Sequence, residues 1–433
     1  MSSKRSQKGM ALIVVLWLTA VLGIITMLFY RQATLSLKIN RNINESTQAR
    51  YLAEAGVYRV MAELTLDGEQ TQSDHLEETW SMNQEAFGDV LLGDGVYRVT
   101  RLGSAEDNTV EYGAVDECSK ININTADRET LLRLPEATEE IVDPIIDWRD
   151  SDDDQGEFGA ESDYYQSLPE PYEAKNDVYD SVEELLLVKD MTLDILYGED
   201  VNTNGVLDLN ENDGDKSYPL DNADGKLDRG WHPYLTAYSY EKNVSSTGEE
   251  RININSADQE TLQSAVGEDL SETEINSIIS VRDEEEFASV GELLDKSAGG
   301  QRVSISRDKL KNIIDRITTS DEEALQGKVN LNTASKEVLM ILLGEENQEL
   351  VEKIVEYRQS GEGPFDDLGE VLDLDGITDA QFQSICEFAC TKSSVFSVRS
   401  AGYLERSKAY KEIYAVVDRG VDPPEIRNWK VLR

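Results

Sequence analysis

From Met10 to Tyr30 the chain runs twenty-one residues without a charge, and about eighteen to twenty apolar residues suffice to cross a bilayer as a helix. Beyond this run, from Arg31 to about Leu66, neither proline nor a glycine cluster interrupts the pattern. Apolar residues recur at Ala49, Leu52, Ala53, Val57, Val60, Met61 and Leu64, in steps of three or four. That is the helical period with one stripe to bury. The two stretches together predict one helix of 57 residues, about 85 Å long at ~1.5 Å per residue. Its middle, QATLSLKINRNINESTQ, is polar and has no clear stripe.

Asp67-Gly68 should stop this helix, and an acidic linker follows to about Gly93. The period then changes to two. GVYRVTRLG and NTVEYGAVDE alternate as strands joined by SAEDN, and near the other end SVFSVRSAGYL and SKAYKEIYAVVDRG do the same around Arg406-Ser407. Four strands divided between positions 95 and 420 predict one antiparallel sheet packed on the long helix, with a large insertion between its halves. A helix on one face of a sheet is the α+β solution.

The insertion repeats itself. KININTADRETLLRL (residues 120–134), RININSADQETLQSAV (251–266) and KVNLNTASKEVLMIL (328–342) share basic, apolar, Asn, apolar, Asn, Thr or Ser, Ala, then a helical run. Thr125, Ser256 and Thr333 are expected to cap these helices, with Glu129, Glu260 and Glu337 four residues on. Second helices (EEIVDPIIDWRD, ETEINSIISVRDE, ELVEKIVEYRQ) and third apolar patches (SVEELLLV, SVGELLDK, DLGEVLDL) complete each copy. The pattern resembles the helix-hairpin-helix unit of DNA-binding proteins, which presents backbone N–H groups and basic residues to phosphate. Here the hairpins read LPEATEE, VGEDLSETE and LLGEENQE, without the two glycines and with carboxylates where phosphate would sit. A helical packing module is the reading these hairpins favour.

Charge points the same way. A formal net charge of −45 over 433 residues argues against a nucleic-acid backbone as partner. It suits a solvated surface, divalent-cation sites, or both. Three cysteines and two histidines, with no CxxC pair, make a Cys/His zinc site improbable. There is no GxSxG, HExxH or P-loop pattern, and His75 and His232 are far apart in sequence, so no catalytic site is expected.

The strongest local chemistry is DVNTNGVLDLNE, residues 200–211. Asp200, Asn202, Asn204, Asp208 and Glu211 occupy positions 1, 3, 5, 9 and 12 of a calcium loop, with Gly205 at 6 and the Val206 carbonyl at 7. Gly214 follows too soon for a long second helix, so a calcium-bound loop is expected rather than a paired sensor. A weaker candidate is Asp221, Asp224 and Asp228, whose first oxygen is one place out of register. The third is the DWRDSDDD run with Asp147, Asp150 and Asp152, followed by Asp153, Asp154, Glu157 and Glu161; a metal, a basic partner or plain solvation would each relieve its repulsion.

At the N-terminus the head MSSKRSQKG carries Lys4, Arg5 and Lys8, and the one obvious junction, Gly9-Met10, lies before the apolar run. A secretory signal would instead be cut after its apolar core. The order looks like a type IV prepilin leader; an uncleaved membrane anchor is the plainer alternative. The basic head favours a cytoplasmic N-terminus. With QARYLAEAGV, KININTAD, DWRDSDDD…GAESDYYQSLPEPY, SVEELLLV and VFSVRSAGYL, the chain resembles the minor pseudopilin K family of bacterial type II secretion systems over nearly its whole length.

That resemblance implies a leader at 1–9, a membrane-spanning half-helix at 10–30, its periplasmic half at 31–66, and linker plus first strands at 67–118. It further implies an α-helical insertion at 119–392, closing strands at 393–422 and a C-terminal tail at 423–433. It implies a non-enzymatic subunit of the inner membrane, single-pass with its bulk periplasmic, cut by prepilin peptidase between Gly9 and Met10 and methylated on the new N-terminus. Calcium would be bound in the acidic insertion, and the partners would be other minor pseudopilins and secreted proteins. Met10 stands where Phe is commoner, and Val14 stands at the fifth mature position, where most pilins carry a glutamate that pairs with a neighbour's amine. In the family this goes with a place at the filament tip. Cys118 enters the insertion while Cys386 and Cys390 leave it, so a disulfide from Cys118 to one of them is expected, with a Cys386–Cys390 bond as the rival. The rival alternative function is a membrane-tethered helix-hairpin-helix DNA receptor.

Overall fold

The structure is a computed structural model that describes residues 4–68, 73–102, 110–214, 216–361 and 363–432. The apolar run and the amphipathic stretch form one helix, α1 (Lys4–Gly68). Ala49, Leu52, Ala53, Val57, Val60 and Leu64 are buried, as their spacing requires, and Met61 is half-buried beside them. They pack on an antiparallel sheet whose centre is the strand Val395–Tyr403, flanked by Tyr410–Asp418 and Gly95–Leu102. Gly56 and Gly402 let helix and strand approach: a side chain on Gly402 would run into the backbone of Ala49, and one on Gly56 into Ser400.

The sheet is wider than its sequence suggests. Val90–Leu92 extends one edge, and Glu425–Val431 pairs with Tyr410–Asp418 at the other, so the expected C-terminal tail is a strand. Its charged, weakly alternating EIRNWKV sequence is typical of an edge. The second early strand is broken into Val110–Glu111 and Val115–Asp116, while the turn read from SAEDN lies outside the described residues. The acidic linker is not loose: Trp80 and Phe87 are buried, and Trp80 meets Phe396 edge-on at 4.9 Å.

The three repeats explain their own sequence. In each, the first Asn accepts from the backbone of the second: Asn122 from Asn124 (2.9 Å), Asn253 from Asn255 (2.8 Å) and Asn330 from Asn332 (2.9 Å). The second Asn then clamps the backbone of an aromatic residue at both ends, Tyr179, Phe287 or Phe365. An arginine near the end of the second helix (Arg149, Arg282, Arg358) donates to carbonyls at the start of its own repeat. The expected second helices are present as Glu139–Arg149, Glu272–Arg282 and Gln348–Gln359, and the third patches are short 3-10 turns. The caps differ from expectation. Asp127, Asp258 and Ser335, two residues later, accept the helix N–H groups, because Thr125, Ser256 and Thr333 still belong to the preceding Asn turn.

Each repeat also opens with a two-residue strand paired in parallel to a later segment: Ile121 with Leu235, Ile252 with Ile317, Val329 with Ala389. Insertion and sheet meet at Asp116. Its Oδ1 accepts the Cys118 N–H (2.7 Å), and its Oδ2 accepts Asn330 Nδ2 (3.1 Å), Thr333 Oγ1 (2.5 Å) and Ser393 Oγ (2.7 Å). Burial pushes this carboxyl up to about 6, against the hydroxyl donors that stabilise its charge.

All three cysteines are free and buried, which corrects both disulfide expectations. The Cys118 thiol lies beside Cys390 and donates to the Tyr240 carbonyl at 3.4 Å. Cys386 belongs to the helix Asp379–Phe388 and faces Gly291, whereas Cys390 sits in a strand beside Asn330, so the two are held apart by different elements.

Replacing Asp116 by Ala removes the acceptor shared by four buried donors at once. The expected loss is about 3 kcal/mol, read as a lowered midpoint of urea unfolding with the helical signal of the native state retained.

Candidate metal centre

Two regions of the insertion gather oxygen donors. In the first, the helix Glu139–Arg149 places Asp143 and Asp147 one turn apart on the same face. Asp143 is taken by Arg128 Nε at 2.7 Å. Among the described residues no cationic side chain pairs with Asp147; it accepts the Gly156 N–H at 3.2–3.3 Å and the Ala160 N–H. The following loop folds back closely enough that any side chain at Gly159 would enter the Asp147 carboxylate. This return brings Glu161, 5% exposed, against Asp147 and Asp150, and oxygens from all three lie within 4.8 Å of one another.

Both carboxylate oxygens of Glu161 and Oδ1 of Asp150 are buried without a hydrogen-bond partner. Burial first, then repulsion from Asp147, Asp150, Asp153 and Asp152, pushes the Glu161 carboxyl up to about 7. Asp147 and Asp150 are raised for the same reasons. Orphaned, mutually repelling oxygens at this spacing are what a hard divalent cation neutralises. Asp152 does not join the three: it is exposed, and its Oδ1 accepts the Asp154 N–H at 2.9 Å. Glu161 belongs there in its place. In sequence it was one acid among several after Asp147, and only the turn at Gly156 and Gly159 selects it.

The second region is the loop at 200–211. Asp200 accepts the N–H groups of Asn204 and Gly205 at 2.9 Å, Asn202 Oδ1 accepts from Asn204 (2.9 Å), and Asn204 Oδ1 from Val206 (2.6 Å). Asn202 Nδ2 reaches Asp208 (3.0 Å) and Glu211 (3.2 Å), and Asn204 Nδ2 reaches Asp208 (2.9 Å). All five predicted side chains are thus brought together, with Gly205 at φ +64° making the bend. Burial raises Asp200 and Glu211. A 3-10 turn, Leu209–Glu211, closes the loop, and among the described residues no helix directly follows it.

Asp221 is committed elsewhere: it accepts N–H groups from Asp213, Gly214 and Ala223. Asn222 and Asp224 instead repeat the local turn of Asn202 and Asn204, and Glu199, which the sequence pattern missed, receives the N–H groups of Asn222 and Asp228. The first loop also touches the sheet. Arg399 of the central strand pairs with Glu412 and donates to the carbonyls of Asn202 and Thr203. Met10 and Val14 lie exposed on α1, within a stretch long and apolar enough to cross a membrane; Gly9 lies on the same helix.

Comparison with known proteins finds two matching family models and similarity to curated relatives. A family model described as type II secretion system protein K matches residues 124–197, and a helix-hairpin-helix motif matches 325–390. Type II secretion system protein K of Pseudomonas aeruginosa is 31% identical over 197 residues, 43% of this chain and 58% of that protein. Its counterpart from Escherichia coli strain K12 is 27% identical over 214 residues, 44% of this chain and 59% of that protein. The chain therefore spans less than two thirds of either relative. The crystal structure of a GspK-GspI-GspJ complex from enterotoxigenic Escherichia coli aligns over 91% of this chain and 97% of its own, with 13% identity and a TM-score of 0.46.

The Glu161 carboxyl holds its proton in the folded chain up to about pH 7, whereas its unperturbed value is 4.5. Its stabilising contribution is therefore complete below about 4.5 and lost as pH rises through about 7. In chelator, the melting temperature of Glu161→Gln is expected to rise relative to wild type across that window, by an amount that a pH series of thermal melts reads directly.

Proposed function

We propose that this relative of type II secretion system protein K is a minor pseudopilin that sits at the tip of a pseudopilus and assembles with other minor pseudopilins. The observation that carries the reading is α1 itself: its stretch Met10–Tyr30 is apolar and almost all exposed, while its second half is the core helix of an antiparallel-sheet body. Such a helix suits storage in the inner membrane with the acidic bulk in the periplasm, followed by packing against neighbouring helices. Val14 offers no carboxylate to a neighbouring subunit's amine, and the bulk of the insertion would obstruct stacking beyond this subunit; both favour an end position. The matched helix-hairpin-helix segment carries Glu345 and Glu346 in its hairpin, which suits protein packing better than phosphate.

The proposed ion is calcium, held by Asp147, Asp150 and Glu161 and by the loop at 200–211, where it would neutralise carboxylates and rigidify the insertion. No chemistry on a substrate is implied.

N-terminal sequencing of membrane-extracted protein, prepared with and without prepilin peptidase, tests the assignment. Processing should leave Met10 first; an intact leader under both conditions leaves only a membrane anchor. Co-purification with other minor pseudopilins is expected, and retention of DNA on filters at moderate salt would favour the DNA-receptor class instead.

Calorimetric titration should show calcium uptake, with stabilisation of about 2.7 kcal/mol at a hundredfold excess over Kd. Glu161→Gln should remove part of that uptake and Asp200→Ala another part. A chain that takes up no calcium and melts identically in chelator excludes the ion.

A further inference from the structure

A different group of buried acids lies outside the insertion, where the long helix ends. Asp67 occupies the last turn of α1, and Asp74 and Glu78 lie in the segment after it. All three are buried, and their carboxylates approach within 4.8 Å of one another. Arg419, just beyond the strand Tyr410–Asp418, is the cation among them: Nη1 lies 2.7 Å from Asp67 Oδ2 and Nη2 pairs with Asp74. Its guanidinium also covers the Phe396 ring at 4.7 Å. Asp74 Oδ2 accepts the Ser393 N–H at 2.7 Å.

Glu78 closes the group. Its Oε2 accepts the His75 N–H (3.0 Å) and the indole N–H of Trp80 (2.7 Å). Among the described residues no hydrogen-bond donor reaches its Oε1; His75 Nε2 stands 3.8 Å away, and the Asp67 carboxyl lies within hydrogen-bonding reach of Glu78. Among the described residues these three carboxylates face one guanidinium, and three buried negative charges against one positive charge are costly. Asp74 also faces Asp116 and raises its carboxyl.

We propose that Glu78 is a proton-held latch: its carboxyl stays protonated at neutral pH, donates to the Asp67 carboxylate, and fastens the end of the long helix to the sheet body. Protonation turns two repelling acceptors into a donor and an acceptor, removes one buried charge, and leaves Arg419 to balance Asp67 and Asp74. Burial, then Asp74 and Asp67, push the Glu78 carboxyl up to about 8. The sign follows: the latch is closed at and below neutral pH and opens as pH rises through about 8.

The test uses the full chain in detergent micelles, labelled with nitrogen-15 tryptophan, in chelator. The Trp80 indole N–H bonds directly to Glu78, so its resonance, assigned with Trp80→Phe, is expected to titrate with a midpoint near 8. In Glu78→Gln the titration should vanish, and the melting temperature of this variant should gain on wild type as pH rises from roughly 6 to roughly 9. The wild-type titration decides alone if that variant does not fold. A Trp80 resonance that is flat over this range overturns the latch. So does one that moves at constant pH when calcium is added, since a cation would then stand in the place given to the proton.

Discussion

A single sheet made from strands on both sides of residues 119–392 can close only if the two ends of that insertion meet. The Asp116 carboxylate is where they do, taking hydrogen bonds from the entry (Cys118), the third repeat (Asn330, Thr333) and the exit (Ser393). Loop closure grows slowly with length, about 0.6 kcal/mol per doubling, so the length of the insertion is a minor cost. What matters is that a buried polar junction have every member satisfied, since a half-satisfied one is worse than an apolar contact. Asp116 meets that demand with four donors.

The same electrostatic problem, too many carboxylates in too little water, recurs with different solutions. At Asp116, hydroxyl and amide donors support the charge. At Asp67 and Asp74, Arg419 does so. At Asp147, Asp150 and Glu161, among the described residues, both Glu161 oxygens and Asp150 Oδ1 have no partner. The loop at 200–211 is linked to the sheet through Arg399, which also pairs with Glu412, so order in that loop and order in the central strand are not independent.

Features with a period were legible in the sequence. The stripe from Ala49 to Leu64, the three repeats and the twelve-residue loop all depend on spacing along the chain, and the structure places them accordingly. What was not legible depends on contacts between distant residues. Glu161 is chosen by a backbone turn with room for no side chain at Gly159, and Glu199 joins the second loop through the Asn222 and Asp228 backbone. The parallel two-residue pairings are too short to show alternation. The helix caps moved because Thr125, Ser256 and Thr333 had an equally good local use in the Asn turns, and composition does not say which use wins. The thiols followed the same rule: nearness in the layout placed Cys118 beside Cys390, without a bond between them.

The long helix finally has to serve two solvents. Its first half exposes Leu12, Ile13, Val14, Leu16 and Trp17, which is stable only in lipid or against other helices. Its second half is committed to the sheet through Gly56 and Gly402, a close contact that leaves little freedom to slide or rotate. Any force on the apolar half must therefore pass into the body through the packed stripe and, at its far end, through Asp67 and Arg419. A purely apolar stripe resists separation but specifies rotation weakly; the buried ion pairs at the last turn fix which face of the helix meets the sheet.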